Sequence, residues 1–281
     1  KGQGIVLNEP SVVAIDAETK KTLAVGREAH EMLGRTPGKV NAIRPLKDGV
    51  IADFEVTEIM LNYFIKKING KGILSKPRIL ICCPSNITNV EKNAIKEAAE
   101  RTGAKKVFLD DEPKVAAVGA GLDISKPSGN MVIDIGGGTT DVAILSLGGI
   151  VTSESVKVAG DTFDSDIMKY IKDKYKLLVG EVTAQDIKLN IGNVFPNSKD
   201  EKMDVRGRDL VTGLPKTVTI SSKEVEEALK ESVDVIIHAA KTVLENTPPE
   251  LSADIIDKGI VLTGGGALLN GFDKLLAQEL K

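Results

Sequence analysis

The chain has 281 residues, enough for about two domains, with 42% hydrophobic and 27% charged residues, as in a soluble globular protein. Its 37 basic and 40 acidic residues give a net charge of −3, which argues against a nucleic-acid-binding protein. Two Cys and two His leave no zinc cluster or disulfide framework, and no apolar run approaches the roughly 20 residues that span a bilayer, so we expect a cytoplasmic protein.

Helical and strand patterns alternate along the chain, which is typical of an α/β protein. An apolar helical pattern ends at Asn69-Gly70. A capping box at Thr88–Glu91 predicts a second helix that runs to Gly103, and another at Ser221–Glu224 predicts a helix that Pro248-Pro249 ends. Further strand patterns cover residues 78–83, 106–109 and 258–262.

The middle of the chain has three extended segments, 131–135, 142–147 and 150–158, separated only by short glycine-rich turns. Connections this short allow only antiparallel pairing, so the segments predict a three-stranded meander. Residues 200–222 alternate Val and Thr with polar residues and predict a small β-rich insertion. A meander followed by crossovers favours a two-lobed α/β fold over a Rossmann domain.

The motif Asp134–Asp141 (DIGGGTTD) lies between two of these strands and is therefore a hairpin turn. Its three glycines can point successive N–H groups at a phosphate. Asp134, at the end of an apolar strand, is placed to hold Mg²⁺ through the water shell of the ion. Thr139 and Thr140 add hydroxyl donors. An ordinary glycine-rich hairpin flanked by acidic residues is the alternative.

A second glycine motif, Thr263–Leu269, follows a strand and is expected to open a helix whose N-terminus can bind an anion. It lacks the Lys of a P-loop and the dinucleotide-binding spacing. Glycines between a strand and a helix are common, so the motif is informative mainly together with the first one. The expected helix has an apolar side made of Leu268, Leu269, Phe272, Leu275, Leu276 and Leu280.

A third motif, Asp110–Ala117, leads from a strand into a helix with Pro113 in its first turn. We expect Glu112 to be a buried or cleft-facing carboxylate that could orient a water for attack on a γ-phosphate. The alternative is a helix-start acid that interacts with the helix dipole, which would explain Asp110 and Asp111 equally well.

These three motifs resemble the nucleotide site of the superfamily of actin, heat-shock chaperones and hexokinase. Longer segments resemble the bacterial actin family MreB, with the MreB-like (Mbl) subgroup nearest, and the resemblance covers essentially the whole chain. The segments that carry it are residues 8–14, 42–53, 127–131, 192–196 and 247–251.

The resemblance implies a two-lobed actin-like (ribonuclease H-like) α/β fold with mixed sheets, each lobe carrying a small subdomain insertion. The first large subdomain would comprise residues 1–13 and 47–126, with 14–46 as its small subdomain. The second would comprise 127–162 and 227–281, with 163–226 as its small subdomain. The chain opens mid-strand and stops inside an amphipathic helix, so we expect a fragment whose first phosphate hairpin precedes Lys1 and whose last strand and helices follow Lys281.

The resemblance further implies a slow ATPase that binds ATP or ADP with Mg²⁺ and assembles with itself into filaments that control cell shape. The implied partners are anionic lipid at the inner face of the cytoplasmic membrane and the membrane proteins of cell shape or wall synthesis, with no nucleic acid. By position, Glu112 would be the water-positioning glutamate, Asp134 the metal-associated aspartate and Thr139 the hydrolysis-linked threonine. The implied nucleotide-binding residues are Gly136, Gly137, Gly138, Gly160, Asp161, Gln185, Asp186, Ile187, Lys188, Gly264, Gly265, Gly266, Ala267 and Leu268.

One departure from the family bears on the affinity for nucleotide. The family often has Glu at the position of Gln185. The Gln side chain can still hydrogen-bond a ribose hydroxyl, but it carries no charge.

In the loop 71–77, Ile73 and Leu74 lie between lysines, and the matching family loop inserts into the bilayer. Two such side chains supply only about 3–5 kcal/mol, so binding would require the avidity of a filament. The alternative is that they cover the edge of a lobe.

Other functions of the same superfamily stay open. A metabolite kinase would need a hydroxyl-binding acid and a substrate pocket, neither of which the sequence reveals, and a chaperone would need a peptide-binding domain. A scaffold that polymerises without turnover is a third possibility, against which the presence of Glu112, Asp134 and Thr139 argues.

Overall fold

The computed structural model describes residues 4–47, 49–69, 76–196 and 200–280. The chain forms two compact units. The first consists of Lys1–Cys83 and Ile87–Asp110, and the second of Pro84–Asn86 and Asp111–Lys281. In the described ranges, no helix combines the length and the apolar character needed to cross a membrane.

The first unit contains a three-stranded antiparallel sheet in which Val13–Asp16 lies between Thr22–Val25 and Val40–Ile43. This sheet packs on the long helix Phe54–Asn69 through Val13, Ile15, Val25, Val56 and Met60. A second sheet pairs Arg78–Cys83 with Lys106–Asp111. The elements, in chain order, are β1 (Val13–Asp16), β2 (Thr22–Val25), α1 (Arg27–Glu31), β3 (Val40–Ile43), β4 (Leu46–Lys47), β5 (Val50–Ile51), α2 (Phe54–Asn69), β6 (Arg78–Cys83), α3 (Asn89–Arg101) and β7 (Lys106–Asp111).

The predicted capping box starts α3. The Thr88 hydroxyl accepts the N–H of Glu91 at 3.2 Å, and the Glu91 carboxylate accepts the N–H of Thr88 at 2.7 Å. These two bonds satisfy backbone donors that the first helical turn leaves free. The helix ends at Arg101, and Gly103 takes the positive φ of 86° that the sequence led us to expect there.

The second unit is built on a four-stranded sheet in the order Gly149–Val156, Thr140–Ser146, Asn130–Ile135 and Ile260–Thr263. Its elements are α4 (Glu112–Gly119), β8 (Asn130–Ile135), β9 (Thr140–Ser146), β10 (Gly149–Val156), α5 (Gly160–Tyr175), β11 (Leu177–Leu178), α6 (Glu181–Ile191), β12 (Lys202–Asp209), β13 (Pro215–Ser221), α7 (Ser222–Glu245), α8 (Pro249–Lys258), β14 (Ile260–Thr263), a 3₁₀ turn (Gly266–Leu268) and α9 (Phe272–Glu279). The meander β8-β9-β10 is antiparallel as predicted, and β14 runs parallel to β8.

Strand alternation divides the sheet into two faces. Met131, Ile133 and Ile135 of β8 are fully buried in the large core that includes residues of α5, α6 and α7. Val132 and Leu145 lie on the opposite face, where they pack against Ala117 of α4. Because side chains alternate along a strand, Asp134 of β8 and Asp141 of β9 share the α4 face.

Two predicted boundaries differ in the structure. The segment from Asp111 to residue 126, predicted in the first lobe, belongs to the second unit, because α4 packs on β8 and β9. The strand predicted over 258–262 was placed too early, since α8 continues to Lys258 and Gly259, at a φ of 77°, separates it from β14. The insertion predicted over 200–222 is the β12–β13 hairpin, and the Ser221–Glu224 capping box starts α7. The remaining subdomain boundaries stay predictions.

Candidate functional site

A row of polar side chains crosses the four-stranded sheet at one level. Thr263 of β14 is the register partner of Asp134 of β8, Asp134 pairs with Asp141 of β9, and Asp141 pairs with Ser155 of β10. Directly paired residues in a sheet project to the same face. Oxygen-bearing side chains from four strands therefore line up on the α4 face.

Glu112 adds a third carboxylate to this row. It is the first residue of α4, which packs on the same face of the sheet. Burial raises the pKa of Glu112 to about 7, and the charges of Asp141 and Asp134 contribute in that order. Burial also raises the pKa of Asp134 and of Asp141. A carboxylate that titrates near neutral pH can accept a proton during a reaction at that pH.

The first glycine motif is the turn between β8 and β9. Gly136 N–H donates to the carbonyl of Thr139 at 2.9 Å and closes the turn. The first N–H groups of α5 then hold it: Gly160 donates to the Gly136 carbonyl at 3.1 Å and Asp161 to the Gly137 carbonyl at 2.7 Å. Gly160 and Asp161, which were predicted to bind nucleotide, thus support the turn through their backbone.

The second glycine motif reaches the same edge of the sheet because β14 runs parallel to β8. Gly264 has a φ of 85°, and a Cβ there would lie 2.2 Å from the carbonyl oxygen of Ile135 and 2.6 Å from Oδ1 of Asp134. A Cβ at Gly266 would lie 2.4 Å from a methyl carbon of Ile135. Glycine is therefore required at both positions for the two motifs to approach each other.

The helix predicted to start at this motif was placed wrongly. The chain makes a 3₁₀ turn at Gly266–Leu268, and α9 begins only at Phe272, after Gly271 with a φ of 80°. Leu268, predicted on the apolar side, is 86% exposed, whereas Leu269 and Phe272 are buried as expected. The 3.6-residue pattern alone does not reveal this break in the helix.

The four residues of helix α6 that were predicted to contact the nucleotide lie in different environments. The side chain of Ile187 is fully buried in the core and is not available to a ligand. Lys188 Nζ lies 2.8 Å from the Asp164 carboxylate and donates to the Gly160 carbonyl at 2.7 Å. Gln185 is half-buried and Asp186 is exposed. Lys188 therefore ties α6 to the start of α5, which in turn supports the β8–β9 turn.

A cavity of about 200 Å³ joins α6 to the second glycine motif. Its wall includes Lys188, Gly192, Gly265, Gly266, Leu269 and Asn270. Two segments that were predicted to bind one nucleoside thus line the same cavity. The sequence had not indicated Asn270, since a single polar residue beside a glycine motif has no distinctive pattern.

Comparison with known proteins supplies the family. The profile of the MreB/Mbl protein family matches residues 1–281. The chain belongs to the MreB/Mbl family. The cell shape-determining protein Mbl of Bacillus subtilis is 68% identical over 281 residues, which are 100% of this chain and 84% of that protein. The cell shape-determining protein MreB of Escherichia coli is 52% identical over 99% of this chain and 82% of that protein.

A solved structure confirms the predicted fold of this MreB/Mbl family member. The crystal structure of MreB 5 of Spiroplasma citri bound to AMPPNP superposes with a TM-score of 0.93 at 43% identity, over 99% of this chain and 83% of that one. Together with the two cell shape-determining relatives, it supports a role in the bacterial actin cytoskeleton.

The described residues of this MreB/Mbl chain bear on the predicted metal site but not on the predicted membrane contact. Within the described ranges, no group of three or more His, Cys, Asp or Glu side chains is arranged to hold a metal ion. Burial raises the pKa of Asp134, and a cation held beside it through water would favour the charged form of this carboxylate. Ile73 and Leu74, predicted to contact the membrane, lie outside the described residues.

Proposed function

We propose that this chain is an ATP-binding, slowly ATP-hydrolysing bacterial actin that polymerises into membrane-associated filaments controlling cell shape. The observation that carries the proposal is the position of Glu112 on the face that holds Asp134 and Asp141, at the sheet edge where two glycine motifs meet. The relationship to the AMPPNP-bound protein of Spiroplasma citri supports the choice of an adenine nucleotide.

In this proposal the nucleotide occupies both glycine motifs. The phosphates of ATP or ADP approach Gly136, Gly137 and Gly138, because glycine lets the backbone come close to a phosphate. The nucleoside occupies the cavity between α6 and Gly264–Leu268, with Gln185 within the same helix to bond a ribose hydroxyl.

Hydrolysis in this proposal is an in-line attack of water on the γ-phosphorus. The water oxygen forms the new P–O bond while the bond to the bridging oxygen of ADP breaks, and ADP leaves with that electron pair. Glu112 orients the water and accepts its proton, for which a pKa of about 7 is suited. Thr139, which is 7% exposed, supplies a hydroxyl beside the attacking water.

Asp134 is the residue that would hold Mg²⁺, through the water shell of the ion. A bound Mg²⁺ would neutralise charge on the phosphate oxygens. Filament assembly would follow from head-to-tail contacts between copies of the chain, because heterologous contacts that do not close build open polymers.

ATP-dependent pelleting of the full-length protein at micromolar concentration, with phosphate release measured in parallel, tests the proposal. The wild type should pellet with ATP, and Glu112→Ala should bind ATP but release phosphate more slowly. Glu250→Ala, a change at an exposed glutamate of α8, serves as the matched control. Absence of polymer with intact ATP binding would remove the filament role, and unchanged phosphate release in Glu112→Ala would remove the role of that residue.

The membrane part of the proposal rests on Ile73 and Leu74 in the loop 71–77. The lysines on both sides favour anionic lipid. The filament would lie at the inner face of the cytoplasmic membrane, where membrane proteins of cell shape or wall synthesis are its further partners.

A further inference from the structure

Asp141 is one of the three acidic residues of the site, and no role was predicted for it from the sequence. Its side chain is only 1% exposed, and it sits in the middle of the polar row, opposite Asp134 on one side and Ser155 on the other. A charged side chain at this depth is uncommon unless it is paired or hydrogen-bonded. Its neighbours therefore indicate what it does.

One oxygen of Asp141 holds a separate piece of backbone. Oδ1 accepts the N–H of Ser85 at 3.0 Å. Ser85 belongs to Pro84–Asn86, which is part of the second unit although the chain on either side belongs to the first. Asn86 strengthens the attachment by donating from Nδ2 to the Ser155 carbonyl at 3.3 Å.

The other oxygen of Asp141 faces hydroxyl groups. Burial raises the pKa of Asp141, and the Ser85 N–H and the hydroxyls of Ser155 and Thr139 oppose that effect. Asp141 Oδ2, Ser85 Oγ and Ser155 Oγ are buried and lack a well-aligned hydrogen-bond partner among the described residues. Buried polar atoms without partners usually mark a place where a further hydrogen-bonded group, such as an ordered water, is accommodated.

Asp141 also acts on the two residues that were assigned to hydrolysis. Thr139 lies two positions earlier in the chain, and its hydroxyl is close to the Asp141 carboxylate. The charge of Asp141 has a larger effect on Glu112 than that of Asp134. A fixed negative charge beside Glu112 limits the positions that the Glu112 carboxylate can occupy.

We propose that Asp141 is a positioning residue of the hydrolytic site, which orients the Thr139 hydroxyl and the Glu112 carboxylate and fixes Pro84–Asn86, without touching the nucleotide. This inference rests on the proposed ATPase function. It predicts that the loss of the Asp141 charge slows the chemical step while leaving ATP binding in place.

Asp141→Asn tests the inference, because Asn keeps an oxygen for the Ser85 N–H while it removes the charge and replaces the second acceptor oxygen by an NH2 donor. Single-turnover hydrolysis should slow by about 10- to 100-fold, since small misplacements of reacting groups have effects of this size. KM for ATP should stay within about twofold of the wild-type value, as expected for an effect confined to the transition state. Asp166→Asn is the matched control, because Asp166 is another hydrogen-bonded aspartate of the second unit, bonded to Ser232 on α7.

A double-mutant cycle separates positioning from a general structural effect. Because Asp141 acts partly through Thr139, Asp141→Asn should slow the Thr139→Val variant by a smaller factor than it slows the wild type. If Asp141→Asn does not fold, as judged by its melting temperature, Asp141→Ser replaces it in both measurements.

The outcomes are distinguishable. The inference alone is overturned if the wild type is active and the Asp141 variant hydrolyses ATP at a rate within about twofold of the wild-type rate. Fully additive effects in the double-mutant cycle also overturn it. A wild type that binds no ATP or hydrolyses none overturns the proposed function and the inference with it.

Discussion

Burial and neighbouring charges strongly shift the ionisation of Glu112. The ordinary pKa of a glutamate, 4.5, is raised to about 7 by burial and by two nearby carboxylates. Folding therefore favours the protonated form of this side chain between these two pH values. In the nucleotide-free protein, the group stabilises the folded state least when it is ionised, because its charge is then desolvated and repelled.

A pH series of thermal unfolding in the nucleotide-free protein tests this assignment. The contribution of Glu112 to the free energy of unfolding should fall as pH rises from about 4.5 to about 7 and then level off. Glu112→Gln carries no charge at any of these pH values, so it should be as stable as the wild type near the lower limit and more stable above the upper one. The difference should be on the order of 1–3 kcal/mol.

Glu250→Gln provides the comparison, because Glu250 is exposed on α8. Its melting temperature should follow that of the wild type across the series. A Glu112→Gln variant whose advantage does not grow with pH would contradict the buried, charge-repelled environment described for Glu112.

At the scale of elements, sequence predicted what depends on local chemistry. Capping boxes at Thr88 and Ser221 start their helices as predicted, since the hydrogen bonds of a cap involve residues only three positions apart. The meander was predictable because its turns are too short for any other connection. The parallel pairing of β14 with β8 joins residues about 130 positions apart, and no local pattern in the sequence specifies that register.

The predictions that differ from the structure also depend on residues that are distant in the sequence. Ile187 was predicted to face a nucleotide, yet its side chain is fully buried in the core. Lys188 is paired with Asp164, a partner 24 positions earlier in the chain that no local pattern indicates, and its contact with a nucleotide stays a prediction. Leu268 fitted the apolar pattern of a helix that Gly271 interrupts. Asp141 was missed because its importance depends on pairing across three strands, which becomes visible only in the sheet.

The contact between the two glycine motifs gives a prediction for an element. Gly264→Ala should destabilise the protein by about 1–3 kcal/mol or more, because the backbone is left-handed there and the new methyl group would overlap the Ile135 carbonyl. Gly265→Ala is the neighbouring control, since a Cβ at Gly265 would meet nothing within 4 Å. Chemical denaturation of both variants measures the difference, and equal stabilities would contradict the close packing of β14 on β8.

At the scale of the whole molecule, the proposed membrane attachment should depend on polymerisation. One copy of Ile73 and Leu74 would supply about 3–5 kcal/mol, whereas a filament would present many copies to one surface. Co-sedimentation with anionic liposomes should therefore be strong with ATP and weak without it, and Ile73→Ser combined with Leu74→Ser should abolish it while pelleting of the polymer persists.

Val211→Ser is the control for the membrane experiment, since Val211 is an 81% exposed aliphatic residue in the β12–β13 turn and is not part of the segment 71–77. Its liposome binding should equal that of the wild type. Binding that survives the double substitution would refute the membrane role of Ile73 and Leu74.

The β8–β9 hairpin has a consequence for how this protein can change over evolution. Asp134 and Asp141 meet on one face only because four residues, 136–139, separate the two strands. Adding or deleting one residue in the turn would shift β9 by one position and move Asp141 to the opposite face, into the aliphatic core. Insertions and deletions in the turn are therefore excluded, because its length is fixed by the chemistry on one side of the sheet and the packing on the other.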